Sequence, residues 1–270
     1  MRIDQPLNMS PFYSFDVDAK GPRIKLETAI TGAHSWSWTI RWKTFSQSGG
    51  MSTAVGRFEL DAMVGGDLSV QLLAGGRSFV FNAPIIGQNP THDAIRSYVN
   101  GKPDADGFLD IIMHESKGKH FNLAGQPIES FDHGFGLCQL TRPAPTYEQV
   151  WNWKRNIDAG LTLFADKRRI ARNFLSSHGS YTPDQLKRET VARWNGGPYH
   201  SWDGSKWIRR PNILCDGKTG NIGWDMSDPD NAGKTASELR ARDQSTYRRG
   251  HQNTDEWNYF GVCYADALLR

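Results

Sequence analysis

The sequence predicts an α+β protein, in which an N-terminal antiparallel β-sandwich-like domain precedes a mainly α-helical domain with an irregular C-terminal extension. Residues 23–85 alternate apolar and polar side chains with a period of two, whereas from about residue 104 the apolar positions recur every three to four residues. The last sixty or so residues are rich in Gly, Asn and Asp. A chain of 270 residues can form two domains with real cores. We expect them at 1–88 and 89–270, with 205–270 as a cover on the second.

The strands of the first domain are expected from five apolar segments. The clearest is "SWSWTIRW", in which Trp36, Trp38, Ile40 and Trp42 share one face and should form core. The other four segments are "RIKLETAI", "RFELDAMV", "LSVQLLA" and "SFVFNAPI". Gly-Gly pairs at 65–66 and 75–76 suit tight turns between them. This succession of short strands and turns is typical of an antiparallel β-sandwich.

Capping patterns mark three helix starts. Thr91 is the expected N-cap of a short helix that runs through Val99. The two later starts have Thr at the N-cap and Gln three residues on, which is the capping-box pattern: Thr146 with Gln149, and Thr182 with Gln185. The helix after Thr182 has Pro at its first position and should stop at "NGG", residues 195–197.

The helix expected after Thr146 carries an apolar stripe. Val150, Ile157, Leu161 and Phe164 keep a spacing of three to four residues along it. We therefore expect one amphipathic helix whose stripe is buried.

Composition excludes several classes of protein. The net charge of +3, from 32 basic and 29 acidic residues without long basic runs, gives no case for nucleic-acid binding. No run of eighteen apolar residues predicts a membrane span, and residues 1–25 show no secretory signal peptide. Synthesis in the cytoplasm without a signal peptide is therefore expected.

Cysteine and aspartate patterns predict no metal or other cofactor. No C-x-x-C pair suggests zinc, and we expect Cys215 and Cys263 to pair in an oxidising compartment while Cys138 stays a thiol. The aspartates of "DMSDPDN", residues 225–231, lack the closing Glu of a twelve-residue calcium loop, so a hydrated turn is expected there.

The stretch "HESKGKHFN", residues 114–122, contains a candidate catalytic acid. Phe108, Ile111, Ile112 and Glu115 stand at i, i+3, i+4 and i+7, so a helix would place the carboxyl group of Glu115 on its apolar face. Burial disfavours the charged form of a carboxyl group, which is the condition for a general acid. The competing interpretation is a helix-end glutamate that turns to solvent.

Three later segments follow "ES" in a recognisable order: "DHGFGLCQL" at 132–140, "NIDAG" at 156–160 and "RWNGGPYHSW" at 193–202. This order resembles the lysozyme-like superfamily of soluble lytic transglycosylases and goose-type lysozymes. Its members carry a catalytic Glu followed by Ser, a G-L-M-Q segment, an N-x-x-x-G helix and a Y-N-G-G or Y-N-A-G segment. The resemblance covers about 110–202 and implies cleavage of peptidoglycan between N-acetylmuramic acid and N-acetylglucosamine.

Carried over residue by residue, the resemblance implies a site. Glu115 would be the catalytic acid with Ser116 beside it, Gly136 and Gln139 would line the sugar subsites, and Asn195 would contact substrate next to the acid.

The sequence departs from the family pattern at two positions. Cys138 stands in place of the usual Met, which we interpret as a packing change because a free Cys behaves as a small hydrophobe. Trp194 stands where the family has a Tyr whose hydroxyl bonds the catalytic Glu; an indole can also donate, or Tyr199 could supply the hydroxyl instead.

The reaction type stays open at this point. A lytic transglycosylase, which the single Glu favours, ends with the sugar's own 6-hydroxyl as acceptor. An inverting hydrolase needs a second carboxylate roughly 6.5–9.5 Å from the first to hold a water, and Asp132 and Glu129 are the candidates. A non-catalytic wall-binding protein and an enzyme for another aminosugar polymer are the rival classes.

A wall-degrading domain with an unassigned β-rich N-terminal region and no signal peptide resembles the cargo of a type VI secretion machine or a phage lysis enzyme. The partners expected from this interpretation are peptidoglycan glycan strands, a cognate inhibitor (immunity) protein and a component of the secretion machine. The site of action would then be the periplasm or cell wall, in the effector case that of a target cell.

Overall fold

The structure is a computed structural model that describes residues 10–130, 133–218, 220–248 and 260–270. Sheets and helices are both present, which confirms the α+β class. The strands are β1 Tyr13–Ser14, β2 Arg23–Glu27, β3 His34–Trp42, β4 Phe45–Thr53, β5 Arg57–Asp61, β6 Gly66–Ala74, β7 Arg77–Ile86, β8 His200–Trp202, β9 Trp207–Arg209, β10 Ile213–Cys215 and β11 Gly223–Asp225. The helices are α1 His92–Asn100, α2 Phe108–Ser116, α3 Tyr147–Trp151, α4 Trp153–Leu175, α5 Pro183–Asn195, α6 Ala236–Arg248 and α7 Val262–Leu268.

The chain divides into two compact units that are not continuous in sequence. The first unit combines the chain up to Tyr98 with Glu115–Gly160, and the second combines Val99–His114 with the chain from Leu161 onward. These units differ from the expected division at residue 88, because the segment around the "GFGLCQ" motif belongs with the strands.

The first unit contains a five-stranded sheet in the order β1-β7-β6-β3-β4 and a two-stranded sheet of β2 and β5. All pairings are antiparallel except that of β1 with β7. All five expected strand segments are confirmed. Trp36, Ile40 and Trp42 are buried as predicted, Trp38 is half-buried, and the Trp36 ring lies 5.4 Å from that of Phe58 on β5.

An aromatic cluster explains why Glu115–Gly160 belongs to this unit. The buried ring of Trp151 lies 5.7 Å from Trp42, 6.3 Å from Phe15 and 5.9 Å from Phe121. A Cβ atom added to Gly65 would lie 2.3 Å from the Trp151 ring, so the backbone approaches this indole directly. Apolar burial therefore joins both stretches of chain into one core.

Of the two Gly-Gly pairs predicted to form turns, one forms a turn and the other does not. Gly75 and Gly76 have φ of 56° and 70° and join β6 to β7 as a two-residue turn, as expected. The pair at 65–66 was predicted as a turn, but Gly66 instead opens β6. Strand β4 was not predicted because its sequence, "FSQSGGMST", lacks alternation; it pairs with β3 over its whole length.

The helix starts are confirmed, but one predicted helix is two. Thr91 Oγ1 accepts the Ala94 N–H at 3.1 Å at the start of α1, and both capping boxes form. The helix after Thr146 ends at Trp151, because Asn152 is extended and its side chain accepts the N–H groups of Lys154 and Arg155. Asn152 thereby starts α4.

The second unit has more regular structure than the sequence predicted. Helix α5 ends at Asn195, as expected, and Trp207 packs with Leu175 and Leu186 in a small apolar cluster. The stretch expected to be irregular, residues 205–270, contains the strand β9, the hairpin β10–β11 and the helix α6, and it ends in the helix α7. In the described part of the chain, no helix is long and apolar enough to span a bilayer.

The predicted disulfide is confirmed. Cys215 at the end of β10 is bonded to Cys263 in α7, with an S–S distance of 2.01 Å, and Cys138 is a buried free thiol. The bond closes a loop between residues 48 positions apart in the sequence.

Candidate functional site

Glu115 and Ser116 are the last two residues of α2. The apolar stripe that precedes them is buried as predicted, since Phe108, Ile111 and Ile112 have no exposed surface. Glu115 itself is half-buried and Ser116 is buried. The helix stops here because the next two residues, Lys117 and Gly118, have φ of 55° and 70°. The carboxyl group thus stands where the apolar face of α2 ends.

A tight turn carries the "GLCQ" motif, and we name Phe135–Leu140 the GLCQ loop. Phe135 and Leu140 exchange two backbone hydrogen bonds of 3.1 Å at its base. Inside the loop, Gly136 and Gln139 have φ of 71° and 48°, and the Gln139 side chain donates from Nε2 to the Gly136 carbonyl at 2.7 Å. The predicted subsite residue Gln139 therefore closes its own loop.

Gly136 is required by sterics as well as by its backbone angle. A Cβ atom at this position would lie 2.4 Å from Cε1 of His120 and 2.8 Å from Nδ2 of Asn156. Both neighbours are completely buried and cannot move toward solvent. The glycine predicted from the motif is thus the point where the loop approaches two buried polar side chains.

Asn156, from the "NIDAG" segment, holds the GLCQ loop from inside. Its Oδ1 accepts the Cys138 N–H at 2.9 Å, and its Nδ2 donates to the carbonyls of Phe135 at 3.0 Å and Gln149 at 3.1 Å. The side chain is fully buried. The "NIDAG" segment therefore positions the loop through Asn156.

His120 is the second buried support of the loop, and sequence reasoning did not single it out. Its Nδ1 accepts the Leu137 N–H at 3.2 Å, so Nε2 carries the proton and donates to the Val150 carbonyl at 2.9 Å. Complete burial lowers the pKa of His120 to about 3, so the ring is neutral. In the sequence, only its position four residues after Ser116 could have pointed to a role near the candidate acid.

Glu115 and the GLCQ loop lie within electrostatic reach of each other. Burial raises the pKa of the Cys138 thiol well above its usual range, and the negative charge of Glu115 raises it further. The "ES" and "GLCQ" motifs, about twenty residues apart in sequence, are therefore brought together in the first unit. Cys138 is an inert packing thiol in this environment.

Of the two candidates for the second carboxylate, the structure describes Glu129 but not Asp132. Glu129 is 16% exposed and contacts two side chains: Lys43 donates to one oxygen, and His133 Nδ1 is 2.7 Å from the other. This engagement leaves Glu129 poorly placed to hold a catalytic water. Asp132 lies outside the described residues, so its role as a base stays a prediction.

Trp194, Asn195 and Tyr199 belong to the second unit. The half-buried Trp194 ring lies 5.6 Å from Phe108 and 6.4 Å from Phe164, and Asn195 Nδ2 donates to the Asn221 carbonyl at 3.1 Å. Trp194 thus packs the end of α5 against Phe108 and Phe164, and Asn195 holds it by a hydrogen bond.

The hydroxyl hydrogen of Tyr199 is engaged in a hydrogen bond. Its hydroxyl donates to Oδ1 of Asp266 at 2.6 Å, and burial together with this carboxylate raises the pKa of Tyr199 to about 12. A phenol has one O–H, and in this structure Tyr199 donates it to Asp266. A hydrogen bond from Tyr199 to Glu115 stays a prediction. The side chain is buried, with 5% of its surface exposed.

Glu189 is a buried anchor that sequence reasoning missed. One of its oxygens accepts the N–H groups of Tyr199 and His200 and lies 3.0 Å from Nδ1 of His200, while the other accepts from Arg193 at 2.8 Å. The carboxylate has no exposed surface. Its hydrogen bonds hold in place the chain that follows "NGG". In the sequence, this role could have been inferred only from the presence of a charged residue inside α5.

No group of three His, Cys, Asp or Glu side chains positioned to hold a metal occurs among the residues that the structure describes. No protein-family model and no curated protein sequence matches this chain.

Proposed function

We propose that the protein cleaves the glycan strands of peptidoglycan at the β-1,4 bond between N-acetylmuramic acid and N-acetylglucosamine, with Glu115 as the general acid and then the general base. The observation that carries this proposal is the proximity of Glu115 to the GLCQ loop, at the end of a helix whose apolar face is buried. The order of the four motif segments supports the same assignment.

A lytic transglycosylase is the reaction we favour. Glu115 donates a proton to the glycosidic oxygen as the bond breaks, and its carboxylate then takes the proton of the 6-hydroxyl of N-acetylmuramic acid as that oxygen attacks C1. One carboxyl group serves both steps, and the product carries a 1,6-anhydro ring. The engagement of Glu129 by Lys43 and His133 favours this one-carboxylate route.

The substrate contacts in this proposal follow the motifs. Ser116 adjoins the acid, and the GLCQ loop with Gly136 and Gln139 lines the sugar subsites. The resemblance also assigns substrate contacts to Trp194 and Asn195. Tyr199 takes the role of a positioning residue, because its hydroxyl is held by Asp266.

The second candidate is a hydrolytic muramidase, in which Asp132 activates a water. The observation in its favour is the resemblance of "FDHGFGLCQ", residues 131–139, to the "D-x-G-x-G-F-G-L-M-Q" segment of goose-type lysozymes, although Asp132 stands closer to Gly-Phe-Gly than the Asp of that segment does. Product mass separates the two reactions, because the anhydro product is about 18 mass units, or one water, lighter than the hydrolytic product.

We further propose that the protein acts in the periplasm or cell wall as a secreted antibacterial effector with a cognate inhibitor protein. The disulfide between Cys215 and Cys263 supports an oxidising site of action, since such bonds persist outside the reducing cytoplasm.

The decisive experiment is digestion of purified peptidoglycan followed by mass spectrometry of the muropeptides. Glu115→Gln is expected to lower the rate of cleavage by at least about a hundredfold, since it removes the proton donor. Glu148→Gln, in the first turn of α3, is the matched control and should retain activity. Equal lysis by wild type and Glu115→Gln would sink the enzymatic assignment and favour a wall-binding protein.

A further inference from the structure

A polar cavity of about 560 Å³ lies on one face of the five-stranded sheet, apart from Glu115 and the GLCQ loop. Its polar lining consists of side chains from three adjacent strands, with Pro84 at one border: Thr39 and Arg41 of β3, Asp67 and Ser69 of β6, and Asn82 of β7. Sites for small molecules and peptide ends have volumes in this range.

Strand register orders these side chains into two rows. Arg41 pairs with Asp67, and Asp67 pairs with Pro84, whereas the next row on the same face contains Thr39, Ser69 and Asn82. Neighbouring strands lie about 4.8 Å apart, and rows on one face lie about 7 Å apart. A cation and an anion thus stand side by side, with hydroxyl and amide groups one row away.

Arg41 and Asp67 are opposite charges at directly paired positions, yet they do not form an ion pair with each other. Within the part of the chain that the structure describes, neither side chain has an ion-pair or hydrogen-bond partner. The comparable pair on β2 and β5 behaves differently, because Arg23 and the directly opposite Asp61 form an ion pair of 3.8 Å. Both charges of the cavity are therefore free to meet a ligand.

We propose that this cavity binds a zwitterionic α-amino acid group carried on the side chain of a peptide residue. Arg41 would hold the carboxylate through its planar fork of N–H donors, and Asp67 would accept from the ammonium group. Thr39, Ser69 and Asn82 would bond the neighbouring amide. An isolated phosphate does not fit, because Asp67 would repel it, and the polar lining carries no aromatic face on which a sugar ring could stack.

The occupant we infer is the stem peptide of peptidoglycan, and this choice of source rests on the proposed function. Stem peptides are attached to the glycan that Glu115 would cleave, and an uncrosslinked diamino acid of the diaminopimelate type in the stem carries a free amino group and a carboxylate on the same carbon. The cavity would then hold the substrate by its peptide, independently of the acid.

The test is calorimetric titration of Glu115→Gln protein, which leaves the substrate intact, with a muropeptide whose stem carries an uncrosslinked diamino acid of the diaminopimelate type. We expect binding, with at least a tenfold loss of affinity when the carboxylate is amidated or the amine acetylated, because either change removes a charge-assisted hydrogen bond. Arg41→Gln and Asp67→Asn should each weaken binding about tenfold. Arg77→Gln, an exposed arginine on β7, is the matched control and should bind as the parent does.

Three outcomes would overturn the assignment. If a neutral chito-oligosaccharide binds as tightly as the muropeptide, the ligand of the cavity is a sugar and not a zwitterion. If Arg41→Gln and Arg77→Gln lose the same affinity for the muropeptide, the cavity is not the binding site. A free amino acid that binds as tightly as the muropeptide would reject the stem peptide as occupant. Because binding is measured without turnover, failure of the cleavage assay leaves this result unaffected.

Discussion

Oδ1 of Asn156 accepts a hydrogen bond of 2.9 Å from the backbone N–H of Cys138. This bond links a buried residue of α4 to the centre of the GLCQ loop, and His120 makes the parallel contact to the next residue back, Leu137. The loop that comes within reach of Glu115 is therefore held from its inner side by two neutral polar side chains. Its position depends on these buried hydrogen bonds as well as on Gly136 and Gln139 within the loop.

Replacement of Asn156 should unfold the first unit more readily. Asn156→Leu keeps the approximate volume but leaves the Cys138 N–H and two carbonyls without partners, so we expect a loss of about 2–4 kcal/mol in the free energy of unfolding. Denaturant titration measures this loss. Asn173→Leu, exposed on the same helix, should change stability by less than about 0.5 kcal/mol, and equal effects would contradict the role of Asn156.

A pair of glycine substitutions separates steric clash from backbone strain. Gly136 and Gly76 have nearly the same φ, 71° and 70°, but a Cβ atom meets His120 at 2.4 Å in the first case and nothing within 4 Å in the second. Gly76→Ala should cost about 1 kcal/mol from backbone strain, and Gly136→Ala should cost about 1–3 kcal/mol more. Thermal unfolding of the two variants checks the difference, and equal losses would rule out the clash.

The buried His120 should make the protein lose stability in mild acid. Its pKa is about 3 in the folded protein and 6.5 as the ordinary value, so between these pH values the unfolded chain binds a proton that the folded chain does not. Its stabilising contribution is complete above pH 6.5 and declines as the pH falls toward 3, by up to about 1.4 kcal/mol per pH unit.

The pH dependence can be assigned to His120 by substitution. His120→Gln keeps a donor and an acceptor without a titrating ring, so the unfolding free energy of this variant should fall less steeply between pH 6.5 and pH 5. His178→Gln, at an exposed position, should keep the wild-type slope. Denaturant titrations at several pH values measure both slopes; identical slopes in all three proteins would assign the proton to another group.

Reduction of the disulfide should weaken the second unit. Because the bond joins residues 48 positions apart, its loss releases about 4 kcal/mol of loop-closure entropy in the unfolded chain. Chemical unfolding with and without reductant measures the change. Alkylation provides the control: native protein should label at no cysteine, reduced and unfolded protein at three, since Cys138 is buried. Labelling of Cys138 in native protein would contradict its burial.

Local features were predictable from the sequence because each depends on neighbouring residues. The tryptophan face of β3, the Gly75–Gly76 turn and the two capping boxes all follow from spacing over a few positions. The disulfide also followed, because Cys215 and Cys263 were the pair left in the C-terminal region. Such patterns specify an element without reference to the rest of the chain.

The features that were missed depend on distant residues. Strand β4 has no alternation of its own and is defined by its pairing with β3, and the break at Asn152 replaces a helix that periodicity alone would have continued. His120 and Glu189 are polar residues whose importance comes from burial, which spacing does not reveal. In the candidate site, Glu115 and the GLCQ loop were chosen from motifs, but the side chains that hold the loop were not.

The interleaved connectivity of the two units has a consequence for how the protein can be modified. The chain passes from one unit to the other after Tyr98, after His114 and after Gly160, so no single cut separates them. A fragment ending at residue 88 would expose the apolar surface that Phe121, Phe135 and Trp151 cover. A fragment of the β-rich region that ends at residue 88 therefore could not be transferred to another protein with its core covered. During synthesis on the ribosome, its core stays open until the chain has been made past Trp151.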